Sequence, residues 1–236
     1  MIAAILLAGG QSSRMGPETP DKVLTVVEKH SVFAWSLNAF ASSGVADLAV
    51  IVHRDEKQRE YFEREMSTHS SLPTISWAKG GIKRNDSVRN GLRALPEEIE
   101  TVFIHDCARP LIRPETLVSL KKAGARHGAV TLAHRITDTT KLVSETEKEH
   151  VYLTKSLDRQ CLWAMETPQV FQKSLIIRAH AHAEREDIEL TDDVSAVEAL
   201  GEPIHLMEAG YSNPKITTQD DLSWINHHLV KRKTSS

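Results

Sequence analysis

The chain has 236 residues, of which 40% are apolar and 26% are charged, and this composition excludes a disordered or fibrous protein. Its formal net charge of −3 argues against a general affinity for nucleic acid, so any site for a polyanion must be a local cluster of cations. Because the longest apolar runs fall far short of the roughly 20 residues that span a bilayer, we expect one domain over residues 1–236 with no membrane partner.

Short apolar runs alternate with helix-period patterns along most of the chain. In chain order the predictions are strand Ile2–Leu7, helix Ser31–Ser42, strand Leu48–Val52, helix Asp55–Met66, strand Thr74–Ala78, helix Arg84–Leu95, strand Thr101–Ile104, helix Pro114–His127, strand Ala129–Ala133, helix Lys173–Glu186, helix Val194–Leu200, strand Ile204–Met207 and helix Gln219–Val230. This order implies an α/β fold with a parallel sheet covered by helices on both faces. Ligands of such sheets bind beyond the carboxyl ends of the strands.

The alternation breaks between Thr137 and Arg159. Two β-like halves flank the polar run Ser144–Glu149, and this pattern predicts a protruding hairpin, or β-arm, at about 137–159. Since a hairpin that leaves its domain is marginally stable alone, we expect the arm to pack against a second copy of the chain. A surface loop is the alternative.

The loop after the first predicted strand has the composition of a polyphosphate site. Small residues from Ala8 to Ser13 let the backbone approach a ligand and turn its N–H groups inward. Arg14 and Lys22 then supply a guanidinium fork and a point charge for phosphate oxygens. The spacing fits neither the Walker A loop nor G-x-G-x-x-G, and a turn with two solvated cations is the alternative.

Further polar clusters lie at Gly80–Val88, His105–Pro110, Arg159–Trp163, Thr167–Phe171, Thr191–Asp193 and Asn213–Thr217. A glycine pair such as Gly80-Gly81 lets the backbone touch a flat nucleobase. A carboxylate at a strand end, as predicted for Asp106, can hold Mg²⁺ directly or through water. Each cluster also has a plain structural interpretation, such as an ion pair between Asp106 and Arg109 that ties down a loop.

The segments G-G-x-x-R-x-x-S-V, H-D-x-A-R-P and T-P-Q-x-F resemble the 2-C-methyl-D-erythritol 4-phosphate cytidylyltransferase family of the non-mevalonate isoprenoid pathway. The resemblance runs from Ala4 to the last predicted helix. It implies a Rossmann-like three-layer α/β fold, a need for Mg²⁺, and a homodimer whose β-arm reaches the partner's active site. It also implies that CMP is transferred from CTP to a sugar-alcohol phosphate, with release of pyrophosphate.

The same resemblance implies roles for individual residues. The catalytic cations correspond to Arg14, Lys22, Arg159 and Lys215. The nucleotide contacts correspond to Ala8, Gly9, Gly10, Ser12, Gly81, Arg84 and Ser87. The acceptor contacts correspond to Asp106, Arg109, Thr139, Thr167 and Thr191, and Asp106 is the expected metal ligand.

The first loop departs from the family pattern, and other functions stay open. Most members read A-A-G-x-G-x-R-M, whereas L-A-G-G-x-S-x-R-M-G is similar to molybdenum-cofactor guanylyltransferases and hexose-phosphate nucleotidyltransferases. The separation of Arg14 and Lys22 is also one residue longer than usual. The alternatives are a ribitol 5-phosphate cytidylyltransferase and a non-catalytic nucleotide-binding subunit. The combination of cations and Asp106 argues against the second.

The N-terminal segment and the cysteines favour a cytoplasmic protein. The segment Met1–Ala4 lacks the basic region of a signal peptide, so we expect none. Cys107 and Cys161 fit no metal-binding spacing, and we expect two buried, reduced thiols.

Overall fold

The computed structural model describes residues 1–10, 15, 21–67, 71–147 and 150–234, and only the backbone for 144–147, 150–154 and 231–234. Its strands are β1 (Ile2–Leu7), β2 (Val26–Val27), β3 (His30–Ser31), β4 (Leu48–His53), β5 (Thr74–Lys79), β6 (Thr101–Asp106), β7 (Ala129–Arg135), β8 (Lys141–Glu147), β9 (His150–Ser156), β10 (Trp163–Gln172) and β11 (His205–Met207). Its helices are α1 (Val32–Ser43), α2 (Glu56–Met66), α3 (Arg84–Arg93), α4 (Pro114–His127), α5 (Lys173–Arg185), α6 (Asp193–Ala199) and α7 (Gln219–Thr234).

Seven strands form the central sheet in the order β11-β7-β10-β6-β1-β4-β5. Strand β10 runs antiparallel to β6 and β7, and the other neighbouring pairs are parallel. The predicted α/β fold with a mostly parallel sheet is therefore confirmed. The largest difference from prediction is β10, which the sequence does not indicate because Pro168 interrupts it. The structure accommodates this proline at a shift of register between Met165 and Gln169.

Alternate residues of the inner strands belong to two apolar cores, one on each face of the sheet. In β1, Ala4 and Leu6 pack with residues of α1, α2, α4 and α7, whereas Ala3 and Ile5 pack with residues of α3, α5 and α6. This alternation follows from the two-residue period of a strand and produces three layers. The sheet is thus buried on both faces, and its carboxyl edge is left to bind ligands.

The predicted β-arm is also confirmed as a structural element. Strands β8 and β9 pair antiparallel in a two-stranded sheet of their own, from Lys141 opposite Ser156 to Glu147 opposite His150. On the arm, Leu142 is 52% exposed and Val143 is 36% exposed. The side chains of Val151 and Leu153, which the sequence also suggests for packing against a partner, lie outside the described residues.

The two thiols differ from expectation in one respect. Cys107 is buried and free, as predicted, but Cys161 is exposed and free. The prediction of two buried thiols is therefore wrong for Cys161, because the short 3₁₀ helix Arg159–Cys161 lies at the base of the arm rather than in a core. None of the helices in the described residues is long and apolar enough to cross a membrane.

Candidate active site

A cavity of about 480 Å³ opens at the carboxyl ends of β1, β4, β5 and β6. Backbone hydrogen bonds join the segments that follow these strands: Ala8 N donates to Val52 O at 3.0 Å, and Gly80 N donates to His53 O at 2.7 Å. The lining includes Ala8, Gly9, Gly10, Lys22, Arg54, Gly80, Gly81, Ile82, Lys83, Arg84, Ser87, Asp106 and Lys215. The carboxyl ends of the strands therefore bring together residues from six separate parts of the chain, as the sheet predicts.

A side chain would be crowded at Gly9 and excluded at Gly81, two glycines of this cavity. A Cβ on Gly9 would lie 3.1 Å from the backbone N of Arg54, and a Cβ on Gly81 would collide with Asp86. Gly81 N also donates to the Ser87 hydroxyl at 3.0 Å, which fixes the second glycine loop on the start of α3. By contrast, a Cβ on Gly10 would meet none of the described residues within 4 Å.

A second cavity of about 330 Å³ adjoins the first. Its lining includes Arg84, Asp106, Arg109, Met165, Glu166, Thr167, Gln169, Thr191, Asp192 and Lys215. Arg84, Asp106 and Lys215 line both cavities, and we call these three residues the dividing wall. The two neighbouring cavities thus share the charged dividing wall.

The Asp106 carboxylate contacts both cations of the dividing wall. Arg84 Nε lies 3.1 Å from one of its oxygens, and Lys215 Nζ lies 2.6 Å from the other. Burial acts to raise the pKa of Asp106, but the charges of Arg84 and Lys215 outweigh it and hold that pKa far below its usual range. The pKa of Arg84 is raised, since the two nearby carboxylates outweigh the cost of its burial. Asp106 and Arg84 are therefore charged at neutral pH.

Hydrogen bonds from β10 and its neighbours hold the second cavity in place. The Thr167 hydroxyl accepts from Asp106 N at 3.0 Å and lies 3.1 Å from His105 Nδ1. Arg109 Nη1 donates to Asn213 O at 2.7 Å. Burial lowers the pKa of His105 to about 3, so this side chain is neutral. Thr167 and Arg109, which both line the second cavity, are thus each held by a hydrogen bond to a neighbouring segment.

The structure brings most of the predicted site residues together. Lys22 and Lys215 line the first cavity with the nucleotide set Ala8, Gly9, Gly10, Gly81, Arg84 and Ser87. Asp106, Arg109, Thr167 and Thr191 line the second. Ser12 and Arg14 lie outside the described residues.

Two predicted residues lie away from both cavities. Thr139 is exposed, and neither it nor Arg159 is among the described residues that line the two compartments. Arg159 Nη1 instead donates to Thr137 O at 2.8 Å, which joins the two ends of the β-arm. Within one chain, these two residues are not placed to touch a ligand in either cavity.

Sequence reasoning missed several polar residues of the site. Arg54 lines the first cavity, with Nη2 3.1 Å from the buried carboxylate of Asp21, whose other contacts include Gln58 Nε2 at 2.7 Å. Asp193 is fully buried behind Arg84, with 2.8 Å between Asp193 Oδ2 and Arg84 Nη1. The position of Arg54 directly after β4 is a signal that could have found it, because ligands bind at strand ends.

The described residues offer little for a metal held by protein groups alone. They contain no cluster of three or more His, Cys, Asp or Glu side chains that could hold a metal ion. Among the described residues that line the first cavity, Asp106 is the one carboxylate, and both of its oxygens already face cations. Mg²⁺ often keeps several waters and takes its other ligands from substrate phosphates. The residues fit a Mg²⁺ that arrives on a polyphosphate, with Asp106 as its nearest protein carboxylate.

Comparison with known proteins gives one consistent family. The profile of the 2-C-methyl-D-erythritol 4-phosphate cytidylyltransferase family matches residues 2–231. The cytidylyltransferase of that name from Desulforamulus reducens is 35% identical over 98% of this chain and 97% of its own length. The one from Geobacillus thermodenitrificans is 35% identical over 97% of each chain. The crystal structure of 4-diphosphocytidyl-2C-methyl-D-erythritol synthase from Anaerococcus prevotii is 26% identical, covers 97% of this chain and 98% of its own, and superposes with a TM-score of 0.82.

Proposed function

We propose that this chain, which belongs to the 2-C-methyl-D-erythritol 4-phosphate cytidylyltransferase family, transfers CMP from CTP to 2-C-methyl-D-erythritol 4-phosphate and releases pyrophosphate. The observation that carries the proposal is the pair of cavities on either side of the dividing wall. The first has glycine backbone, Ser87 and lysines for a nucleotide. The second has Arg109, Thr167 and Thr191 for a phosphorylated polyol.

The reaction is an in-line displacement at the α-phosphorus of CTP. An oxygen of the acceptor phosphate forms the new P–O bond, and the bond from the α-phosphorus to the bridging oxygen breaks with pyrophosphate as the leaving group. A phosphate monoester is already an anionic nucleophile at neutral pH, so the site needs no strong base. Its work is to position the two phosphates and to offset their charge.

The lysines of the first cavity are suited to that work. Lys22 Nζ donates to Ile216 O at 2.7 Å, and Ile216 is the direct neighbour of Lys215. Both ammonium groups therefore belong to one region of the lining, where they can attract phosphate oxygens. Arg14, which follows the first glycine loop, is proposed as the third cation on the resemblance alone.

The proposal has three further parts: a metal ion, a homodimer, and a cytoplasmic location with roles for individual residues. Mg²⁺ is proposed to enter with the CTP phosphates, whose negative charge it partly neutralises, with Asp106 as its protein contact directly or through water. A homodimer is proposed because Thr139 and Arg159 lie away from their own chain's cavities on an arm with exposed apolar side chains. A cytoplasmic location and the nucleotide or acceptor roles of individual residues stay predictions from the sequence.

One assay tests the proposed function. Purified protein with Mg²⁺ is given each of CTP, GTP, ATP and UTP together with methylerythritol 4-phosphate or ribitol 5-phosphate, and pyrophosphate release is measured. We expect turnover with CTP and methylerythritol 4-phosphate, since a pocket sized for a pyrimidine excludes purines. Preference for ribitol 5-phosphate or equal turnover with GTP would contradict the proposal and favour one of the other transferases. Nucleotide binding without turnover would indicate a non-catalytic subunit.

A further inference from the structure

The first residue of α6, Asp193, has both carboxylate oxygens in contact with charged or polar side chains. Its side chain is fully buried, and it lies between Arg84 Nη1 at 2.8 Å and His180 Nε2 at 3.0 Å. A carboxylate only accepts hydrogen bonds, so His180 must carry its proton on Nε2. His180 is itself 2% exposed, which makes the pair a closed polar unit beneath the site.

Several bonds fix the position of Asp193 relative to the sheet. The Gln169 side-chain oxygen, from β10, accepts from the backbone N of both Asp193 and Val194 at 3.2 Å. The Gln169 amide nitrogen donates to Asp192, the N-cap of α6, at 2.8 Å. On the other side, Asn85 Nδ2 donates to Leu190 O at 3.1 Å and ties the start of α3 to the segment before α6. The carboxylate and the arginine that it meets are therefore held on one frame.

The Arg84 guanidinium consequently spans two carboxylates. Its Nε faces Asp106 and its Nη1 faces Asp193, while its Nη2 is buried and makes no hydrogen bond to the described residues. A planar fork bonded at two points has little freedom to rotate. A buried donor with no partner is unfavourable, so the two bonds to Asp106 and Asp193 must hold the guanidinium in this position. Arg84 lines both cavities, whereas Asp193 is not among the described lining residues of either.

From this arrangement we infer that Asp193, supported by His180, is a positioning residue of the reaction: it fixes the Arg84 guanidinium in the dividing wall so that one side chain serves both the nucleotide and the acceptor. Asp193 acts through Arg84 and touches no substrate itself. The inference rests on the proposed function, since Arg84 has two substrates to serve only in a transferase.

The central test is a double-mutant cycle of Asp193→Asn and Arg84→Gln. Asparagine keeps the shape of aspartate, and its side-chain oxygen can accept from Arg84. Its NH₂ group can donate to His180 Nε2 if His180 changes tautomer. We therefore expect the fold to be retained while the charge is lost. We expect Asp193→Asn to lower kcat/KM by about 10- to 100-fold, with KM raised for both substrates. In the Arg84→Gln background the same change should have little further effect, because the side chain that Asp193 positions is already gone.

The KM values separate this role from a merely structural one. Loss of folded protein lowers the apparent kcat but leaves KM unchanged, so a raised KM reports on the site itself. The matched control is Glu184→Gln, which removes the ion pair between Glu184 and Arg89, 3.3 Å apart, without touching Arg84. We expect its kinetic constants to equal those of the wild type.

The outcomes are distinct. Unchanged KM values in Asp193→Asn, or losses that multiply in the double variant, would overturn the inference while the active wild type upholds the proposed function. An inactive wild type would instead overturn the proposed function, and with it this inference.

Discussion

The dividing wall and the β-arm represent two ways to place charged residues at a site. In the wall, Arg84 begins α3, Asp106 ends β6 and Lys215 lies in the loop before α7, and the two partly buried cations are both bonded to Asp106. On the arm, Thr139 is exposed, and the side chain of Arg159 bonds only to the backbone of Thr137 among the side-chain hydrogen bonds of the described residues. The wall is complete within one chain, whereas the arm has a functional role only if its residues reach another molecule.

The difference has a physical origin. Buried charges must be paired, so the side chains of the wall hold each other in one geometry before any ligand binds. The exposed cation on the arm is solvated and gains little from its neighbours. We therefore expect a substitution in the dividing wall or the first cavity to impair the site of the same chain. A substitution on the β-arm should instead impair the site of the partner chain.

The largest expected effect is that of Lys22→Ala. Its ammonium lines the first cavity beside the Lys215 segment, and its charge matters most as negative charge shifts to the leaving pyrophosphate. We expect kcat to fall by about 10²- to 10³-fold, with a smaller change in the KM for CTP. Lys29→Ala, an exposed lysine on the same stretch of chain, is the control and should leave both constants unchanged. A near-normal kcat for Lys22→Ala would mean that this lysine is structural.

Mixing two inactive variants tests whether the arm acts between chains. If Arg159 serves the partner's cavity, a mixed dimer of Lys22→Ala and Arg159→Ala has one intact site and one site with both lesions. Random exchange makes half of the dimers mixed, so activity should recover to about a quarter of the wild-type value. If the subunits are shown to exchange and no activity returns, Arg159 serves its own chain. A fully active protein that sediments as a monomer would also contradict the shared site.

A smaller effect is expected from Gly10→Ala, which probes the open side of the first cavity. Among the described residues, the new methyl group would meet nothing within 4 Å, so we expect the free energy of unfolding to stay unchanged. If CTP approaches the Gly10 backbone, the KM for CTP should rise by about tenfold. Gly81→Ala is the contrasting variant, because its methyl group collides with Asp86 and should destabilise the fold itself. An unchanged KM for Gly10→Ala would place the nucleotide elsewhere.

The last prediction concerns the pH dependence of stability and is expected to leave activity unchanged at neutral pH. Burial lowers the pKa of His105 to about 3, whereas in the unfolded chain it is near its ordinary value of about 6.5. As the pH falls below about 6.5 the unfolded chain takes up a proton that the folded one refuses, so stability present above that pH is lost towards pH 3. The slope from this one group is at most about 1.4 kcal/mol per pH unit.

Urea unfolding between pH 4.5 and 6.5 measures this slope. The carboxyl groups of Asp106 and Asp193, whose pKa values are lowered, begin to give up their contributions below about pH 5, so the slope between about pH 5 and 6.5 is the part that reports on His105. His105→Gln should be less dependent on pH than the wild type over this range. Equal slopes for the two proteins would show that His105 is protonated in the folded state.

Many features of the fold and the site could be predicted because they depend on neighbours in the sequence. Helix α4 begins at Pro114 and ends at His127 as predicted, since proline suits a first turn and Gly128 follows with a positive φ. The glycine loops follow β1 and β5 because small residues come directly after apolar runs. Strand β10 was missed since a proline argues locally against a strand, and only pairing with β6 and β7 makes one there.

By itself, the sequence determined the alternating elements, the carboxyl edge at which the motifs collect, and the excursion of the β-arm. Only the tertiary structure decided which charges meet: Arg84 pairs with Asp193 across 109 positions, and Lys215 pairs with Asp106 across the same number. It also decided that Thr139 and Arg159 lie away from the cavities. Periodicity and turn chemistry act over a few residues, whereas the pairing of buried charges depends on which strands and helices become neighbours in space.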